Sequence, residues 1–462
     1  MEISNDINNL NLDQIELYKI LSKKINCSDY DKLSERIAKT YSLTICLIKD
    51  LLEGKLSGYE NDDTLGNINP LHWEFGHIIH FWINNCIKLL NYPLPNKLKK
   101  EYLFDSFRTD RETRFEIVKE KKIESINELN KIYESIITNT IIKIVQGKQT
   151  ENKLDPITSY LINLVLLHND MHNESFCFSL QLLACSKPKL NDYFKIIDHK
   201  CYDVTNEYIF VKGGVFKQGW NDKIDNFTFD NERPEFQSEV KDFKVSKYCV
   251  TQGQYLDFIN NDGYSKEEYW CPEGWRWKIK NKISLPQYWE FKNGKFFQRK
   301  WDNWIEIQNS LPITHISWYE ANAYCRWAKC RLPTEAEWEY LSTNKGLTKY
   351  PWGDYPPNSN LANLNYKYDG IQSVDSYNSG TNKLGVQQLI GNIWEWCQEP
   401  IYPYNGFEID PVYREMSYPF FGFKRICRGG AWCVPDYLIN SKYRNAQKPE
   451  CRMQYIGFRT CI

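Results

Sequence analysis

A change of repeat length near residue 200 constrains this chain more than any other feature. Before it, apolar residues recur at helical spacing through Ile15–Leu21, Leu43–Leu52, Ile78–Leu90, Ile123–Val145 and Leu161–Leu183. After about residue 205 the apolar runs are short and β-like, as in Tyr208-Ile-Phe-Val211 before Gly213-Gly214, and Gly, Asn, Asp and Pro clusters separate them. Two textures imply two domains: an all-helical unit over 1–200 and a loop-rich α+β unit over 201–462, with the boundary placed to within about ten residues. Long helices with moderate connections suit an up-down bundle that points ligands into its centre. In the second half, Thr251–Asn260 and Trp318–Lys329 read as helices, and Thr334 with Glu337 forms a capping box that opens a third. Arg428-Gly-Gly-Ala-Trp432 and Leu389-Ile-Gly-Asn-Ile-Trp394-Glu-Trp396 read as turns, with Gly429 and Gly430 free to take positive φ.

The histidines are scarce. Only seven occur, at 72, 77, 80, 168, 172, 199 and 315. His168 and His172 are four residues apart within Leu161–Leu183. At about 3.6 residues per turn both imidazoles share one face and can reach one metal ion, whereas Glu174 falls about 200° round from His172 and is poorly placed to join them. A surface pair of histidines is the plain alternative, and the His-Glu-x-x-His pattern of a metalloprotease is absent. The cluster His72, His77 and His80 is the natural source of a third ligand, with His77 preferred because Gly76 lets the backbone approach closely there. Three neutral imidazoles leave a divalent iron or zinc with open positions, so ligand type alone does not choose the metal.

Net charge of −1 gives no reason to expect nucleic acid or an anionic membrane as partner. Fifteen scattered cysteines without a Cys-x-x-Cys pair suit reduced thiols rather than a disulfide frame or a structural zinc site. No basic-then-apolar leader opens the sequence, and no run approaches the roughly 20 apolar residues of a membrane span. A cytoplasmic protein is the expectation, with the oligomeric state left open. Arg108, Arg111 and Arg114 recur every third residue and on a helix would line one side, able to clamp a carboxylate or phosphate; pairing with Asp110 and Glu112 on a solvated face is the alternative. Tyr404-Asn-Gly-Phe407 offers a phenol in a Pro/Gly-rich loop, and the residues alone do not assign it a role.

Taken together, these motifs resemble a known family. Val211-Lys-Gly-Gly, Asn231-Glu-Arg-Pro, His315-Ile-Ser-Trp-Tyr-Glu-Ala, Arg331-Leu-Pro-Thr-Glu-Ala-Glu-Trp-Glu, Gly391-Asn-Ile-Trp-Glu-Trp, Arg428-Gly-Gly and Gly457-Phe-Arg resemble the formylglycine-generating-enzyme/sulfatase-modifying-factor fold, which is C-type-lectin-like. Trp73-Glu-Phe-Gly-His77 and His168-x-x-x-His172-x-Glu174 resemble a DinB-like four-helix bundle. This order of domains resembles the non-haem iron sulfoxide synthases of ergothioneine and ovothiol biosynthesis and selenoneine synthase. Trp73–His77, the 105–114 segment and Met171 before His172 look most like the selenium type.

The resemblance implies Fe(II) on His77, His168 and His172, O2 as co-substrate, and a C–Se or C–S bond made on the imidazole of N,N,N-trimethylhistidine. It implies Tyr404 as an acid, beside Phe407, and a substrate wall from Arg444, Asn445 and Gln447, with Arg108, Arg111, Arg114 and Met171 also facing substrate. The ergothioneine enzymes carry Gln where this chain has Met171, Trp-Asp where it has Ala446-Gln447, and an arginine near Cys451. Those departures disfavour γ-glutamylcysteine and leave a selenosugar or another thiol as donor. The two copper cysteines of formylglycine generation are not matched, Cys433 being misplaced, which disfavours sulfatase activation. A catalytically silent binding homologue and a zinc thiol transferase are the competing readings.

Overall fold

The computed structural model describes residues 30–56, 68–94, 96–150, 154–190, 204–205, 207–221 and 227–462. The helical run expected at 15–21, the turn at 61–63 and the boundary near residue 200 lie outside the described residues.

The first helices are α1 (Tyr30–Leu47), α2 (Leu71–Trp82), α3 (Arg111–Lys119), α4 (Ile126–Thr150) and α5 (Pro156–Leu182). In α1 the buried residues Tyr30, Leu33, Ile37, Thr40, Leu43, Thr44 and Leu47 repeat every three or four positions and form one inward stripe. That stripe packs on α4 and α5, and α2 packs on the same two helices, so four helices share one core. Helix α2 continues into a π-helical turn, Ile83–Ile87. Helix α5 begins sharply: Asp155 accepts from the amides of Ile157 and Thr158, and Pro156 sits at the first helical position, where no N–H is needed.

Burial on every side marks α5 as the element shared by both halves of the chain. One face meets the other helices. From the rest, Glu174 accepts from Trp394 Nε1 at 2.7 Å, Asp170 accepts from the Tyr437 hydroxyl, and Tyr160 donates to Asp410. Gln181 Oε1 accepts from the Trp301 amide at 2.7 Å, and its Nε2 donates to the Arg299 carbonyl at 2.8 Å.

The second half carries small sheets: β1 (Tyr208–Val211) with β4 (Phe243–Ser246), β2 (Gly214–Gln218) with β3 (Phe236–Val240), and a meander of β5 (Trp289–Lys292), β6 (Lys295–Lys300) and β7 (Asn303–Glu306). Its central sheet runs in the order β10 (Asn445–Gln447), β9 (Arg425–Arg428), β8 (Trp394–Pro400), β11 (Ile456–Gly457), antiparallel except for β8 and β11. Helices α6 (Gln252–Asn260), α7 (Pro272–Lys280), α8 (Trp318–Trp327) and α9 (Glu335–Ser342) complete it. Capping boxes start three of them, Thr251 with Gln254, Ser317 with Glu320 and Thr334 with Glu337.

The core here is aromatic and ionic. Trp338, Trp394, Trp396 and Trp432 are fully enclosed, and buried arginines are matched to buried carboxylates: Arg428 to Glu335 and Glu339, Arg444 to Glu335, and Arg459 to Glu395. Taking charges out of water is expensive, and further acceptors offset it: Arg428 also donates to the Ser441 carbonyl, Arg444 to the carbonyls of Asn231 and Tyr402, and Arg459 to those of Ser246 and Gln387. Gly429 and Gly430 adopt φ of 99° and 89° beside Arg428, the turn that the sequence suggested.

Candidate metal centre

The geometry of α5 carries His168 and His172 to one face, and α2 lays His77 against them. One ring nitrogen from each of the three lies within 4.8 Å of the others. The ring centres are 5.1 Å apart for His77 and His168, 5.0 Å for His77 and His172, and 4.6 Å for His168 and His172.

Two of the rings are oriented from behind. His77 Nδ1 donates to the Phe104 carbonyl at 2.8 Å, and His172 Nδ1 donates to Glu74 Oε1 at 2.6 Å. Each bond leaves Nε2 as the lone-pair donor and fixes the plane in which it points. Gly76 makes the first of these bonds available: a Cβ there would fall 2.0 Å from the Phe104 ring, so only glycine admits that segment. His168 is held by stacking instead, with the Phe81 ring parallel at 3.6 Å between centres, and its buried Nδ1 has no hydrogen-bond partner. Burial and the proximity of His172 push the His77 and His168 imidazoles well below their ordinary value, which keeps them neutral and able to bind a cation. Three convergent neutral imidazoles, one with an orphaned nitrogen, fit a divalent transition metal.

The other two histidines of the α2 cluster have separate positions. His72 meets the Glu124 carbonyl at 2.8 Å, and His80 pairs with Asn84 at 3.0 Å. Glu174 points to Trp394 across the domain contact, away from the three rings, as its angle on the helix requires.

A cavity of about 1150 Å³ opens over the centre, walled by both halves of the chain. Met171 lines it, with Sδ accepting from the Tyr443 hydroxyl at 3.6 Å. Asn445, Gln447, Arg108, Arg114 and Arg444 also reach its wall, while Arg111, Tyr404 and Phe407 do not.

The arginine series departs from the helical stripe expected of it. Asp110 accepts from the Thr113 amide and starts α3 at Arg111, leaving Arg108 in the preceding turn, exposed and 3.2 Å from Asp105. Arg111 donates to the Ile68 carbonyl and covers Phe115. Arg114 donates to the carbonyls of Thr109 and Ser106 and to Asn69, and lies 4.2 Å over the Trp73 ring, which in turn stacks on His77. Its guanidinium therefore braces the wall behind a ligand histidine.

Arg444 is similarly occupied, by Glu335 and by the carbonyls of Asn231 and Tyr402. Tyr404 sits behind it, its ring 4.0 Å from that guanidinium and its hydroxyl accepting from Gln218 at 3.3 Å. Phe407 packs edge-on against Phe421.

The phenol at the centre is Tyr413. Its ring meets His168 edge-on at 5.5 Å and Phe81 at 4.8 Å, and burial raises its hydroxyl well above the ordinary phenol value. Asp410 places it: one carboxylate oxygen accepts from the amides of Val412 and Tyr413, and the other takes the hydroxyl of Tyr160 from α5. Sequence inspection passes over Tyr413 because it sits in an aperiodic loop. The Asp-Pro-x-Tyr turn at 410–413 is the local signal that could have singled it out.

Residues 193–462 match the sulfatase-modifying factor enzyme 1-like domain. The chain belongs to that family. It is 31% identical over 306 residues to the hercynine oxygenase of Mycobacterium tuberculosis, spanning 65% of this chain and 71% of that protein. The hercynine oxygenase of Mycolicibacterium smegmatis is 30% identical over 305 residues, covering 64% and 70%. The formylglycine-generating enzyme of Mus musculus is 28% identical over 279 residues, covering 54% and 73%. Within the family, this chain joins a helical region to the shared domain and places the three histidines where the two meet. No helix among the described residues is long and apolar enough to cross a membrane.

Proposed function

We propose that this family member is a non-haem Fe(II), O2-dependent enzyme that forms a C–Se or C–S bond on the imidazole ring of N,N,N-trimethylhistidine (hercynine). The observation that carries the proposal is the convergence of His77, His168 and His172 on the floor of the interdomain cavity, in a chain similar to hercynine oxygenases. Those three residues would hold the iron, which when bound supplies O2 activation and lowers the pKa of a coordinated thiol or selenol. In the overall change a ring C–H and an S–H or Se–H are lost and the C–S or C–Se bond forms; O2 takes the two hydrogens, leaving as H2O with its other oxygen on the chalcogen, or as H2O2 where the chalcogen stays unoxidised.

The chain's own residues do the remaining work. Phe104 and Glu74 fix the two ring planes, so little reorganisation is left for the reaction. Tyr413 keeps its proton at neutral pH through burial, which holds a proton beside the centre for the oxygen being reduced. Met171, Tyr443, Asn445 and Gln447 shape the wall against which the imidazole substrate lies. Of the two donors we favour a selenosugar, on the likeness of Trp73–His77, 105–114 and Met171 to the selenium type. The same reading divides the chain into a DinB-like metal-binding unit, 1–200, and the family domain, 201–462, acting in the cytoplasm on small molecules.

The test is anaerobic reconstitution with Fe(II), then O2, trimethylhistidine and a panel of selenoglucose, thioglucose, cysteine and γ-glutamylcysteine, with products read by mass spectrometry. A selenium or sulfur adduct that requires O2 and is lost in His172→Ala supports the proposal and names the donor. Absence of bound iron in the intact protein would sink it.

A further inference from the structure

The second half of the chain holds a pair of thiols that the metal centre does not use. Helix α8 ends in a Schellman turn: Lys329 takes φ of 55°, its amide donates to the Arg326 carbonyl at 3.3 Å, and the Cys330 amide donates to the Cys325 carbonyl at 2.9 Å. Such a turn ordinarily closes with contact between the side chains at the ends of its longer bond, and here both are cysteines. An amide-to-carbonyl bond of that length keeps the two Cα atoms within about 7 Å, the reach of a disulfide. Their thiols hydrogen-bond one another.

The two thiols have unequal surroundings. Cys325 faces the core at 1% exposure, and burial pushes its thiol up. Cys330 is half-buried at the outer end of the turn. Its sulfur is held by Cys325 and by the hydroxyls of Tyr208, on β1, and Thr460, and these bonds keep its thiol below the ordinary value against the opposing effect of burial. The two hydroxyls lie 2.8 Å apart and form one polar wall. The backbone after Cys330 is pinned, because Arg331 and Cys461 exchange both main-chain hydrogen bonds, at 2.9 and 2.7 Å. Tyr324 on α8, Cys461 and Arg331 are the other titratable or charged groups around the pair, and Arg331 is matched by Glu337. Elsewhere burial pushes thiols up, as at Cys86, Cys249 and Cys397. An acidified, partly exposed thiol touching a buried one is the arrangement that thiol–disulfide exchange uses.

We infer that Cys330 and Cys325 form a redox-active dithiol, a modification site at which a low-molecular-weight disulfide such as oxidised glutathione makes a reversible Cys325–Cys330 bond, with the Tyr208 hydroxyl holding the attacking Cys330 thiolate. That thiolate attacks one sulfur of the reagent, whose other half leaves and takes the proton that Cys330 released. The Cys325 thiol then gives up its proton and attacks the Cys330 sulfur, expelling the second half as a thiol. Overall two protein thiols and one small disulfide become one protein disulfide and two small thiols, and two electrons pass from the protein to the reagent. Excess small thiol reverses both steps. The exchange is independent of the reaction proposed at the three histidines.

The experiment treats reduced full-length protein with oxidised glutathione, quenches with iodoacetamide and reads tryptic peptides by mass spectrometry. Trypsin cuts after Arg326 and Lys329, so only a disulfide joins the Cys325 peptide to the Cys330 peptide. The joined peptide should accumulate at pH 7 and disappear with dithiothreitol, a result that needs no substitution. Cys325→Ala should stop at glutathione bound to Cys330, and Cys330→Ser should leave Cys325 unmodified. Tyr208→Phe should slow the first step about threefold to tenfold at pH 7, with the gap narrowing toward pH 9 as the thiol ionises without help. Cys46 and Cys271, also half-buried, are the controls and should react about tenfold more slowly than Cys330. The inference is overturned if Cys330 reacts no faster than those two, if its glutathione adduct persists in wild type without the joined peptide, or if either cysteine joins Cys461 instead. Equal modification of Cys325 in Cys330→Ser, or a Tyr208→Phe rate equal to wild type at every pH, overturns it as well.

Discussion

Replacing Gly76 by alanine tests whether the backbone of α2 is what lets His77 serve as a ligand. The new methyl would lie 2.0 Å from Phe104 Cε1, 2.5 Å from Cδ1 and 2.6 Å from Cζ. Carbon contacts relax near 3.5 Å or beyond, so the ring must retreat by about 1.5 Å. Phe104 is fully buried, and its carbonyl accepts from His77 Nδ1, so the ring cannot move without drawing on that hydrogen bond. Overpacking of this kind costs about 1–3 kcal/mol, against roughly 1 kcal/mol returned by alanine's better helix propensity. The net loss of stability is thus about 0–2 kcal/mol. Disturbing a hydrogen bond behind a ligand histidine typically lowers metal affinity by about 10- to 100-fold. The assay is anaerobic chelator competition with Fe(II), alongside urea unfolding, on Gly76→Ala, Phe104→Leu and the double variant. If the clash is the cause, leucine makes room and the double variant binds metal better than Gly76→Ala alone, a coupling of about 1 kcal/mol or more. Wild-type metal affinity in Gly76→Ala, or strict additivity in the cycle, would refute the reasoning.

Three further outcomes are expected. Glu74→Ala, which leaves the His172 N–H without its acceptor, should weaken Fe(II) binding by about 10- to 100-fold, whereas Glu74→Gln keeps an acceptor and should lose less; chelator competition reads both. Tyr413→Phe should lower turnover by about 100-fold or more with iron content unchanged, while Tyr404→Phe, outside the cavity, should leave turnover near wild type; the reverse pattern would return the acid role to Tyr404. His315 is buried and its imidazole is held down to about 3, chiefly by desolvation. Between its unfolded value near 6.5 and that folded value the unfolded chain binds the extra proton, so stability falls as pH falls, by about 1.4 kcal/mol per unit. Urea midpoints at pH 7, 6 and 5 should drop less steeply in His315→Gln by that amount, and equal slopes would contradict the assignment.

Much of the local architecture is written in short-range patterns. The helical period of the first half, the i and i+4 placement of His168 and His172, the Thr334–Glu337 capping box and the positive φ of Gly429 and Gly430 each depend on a few neighbouring residues. Signals of that range survive inspection of a single chain. Where they compete, reading fails locally: the arginine series looks helical throughout, but Asp110 caps Thr113 and expels Arg108 from the helix. Helix α7 and the β5–β7 meander escape a reading by period, because short or aromatic-rich elements lack a clear one.

The two textures of the chain, the helices that carry the histidines and the family likeness of the second half are legible in the residues alone. Which histidine of the α2 cluster faces the α5 pair is fixed by packing, because it rests on Phe104 arriving over Gly76. Packing alone places Tyr413 beside His168, through a hydrogen bond between Tyr160 and Asp410, 250 residues apart. It also fills Arg444 and Arg114 with internal partners. The physical reason is the same in each case. Secondary structure follows from torsional preference and burial within one or two turns, but a cavity wall is chosen by which distant segments pack together and which polar groups that packing leaves unsatisfied.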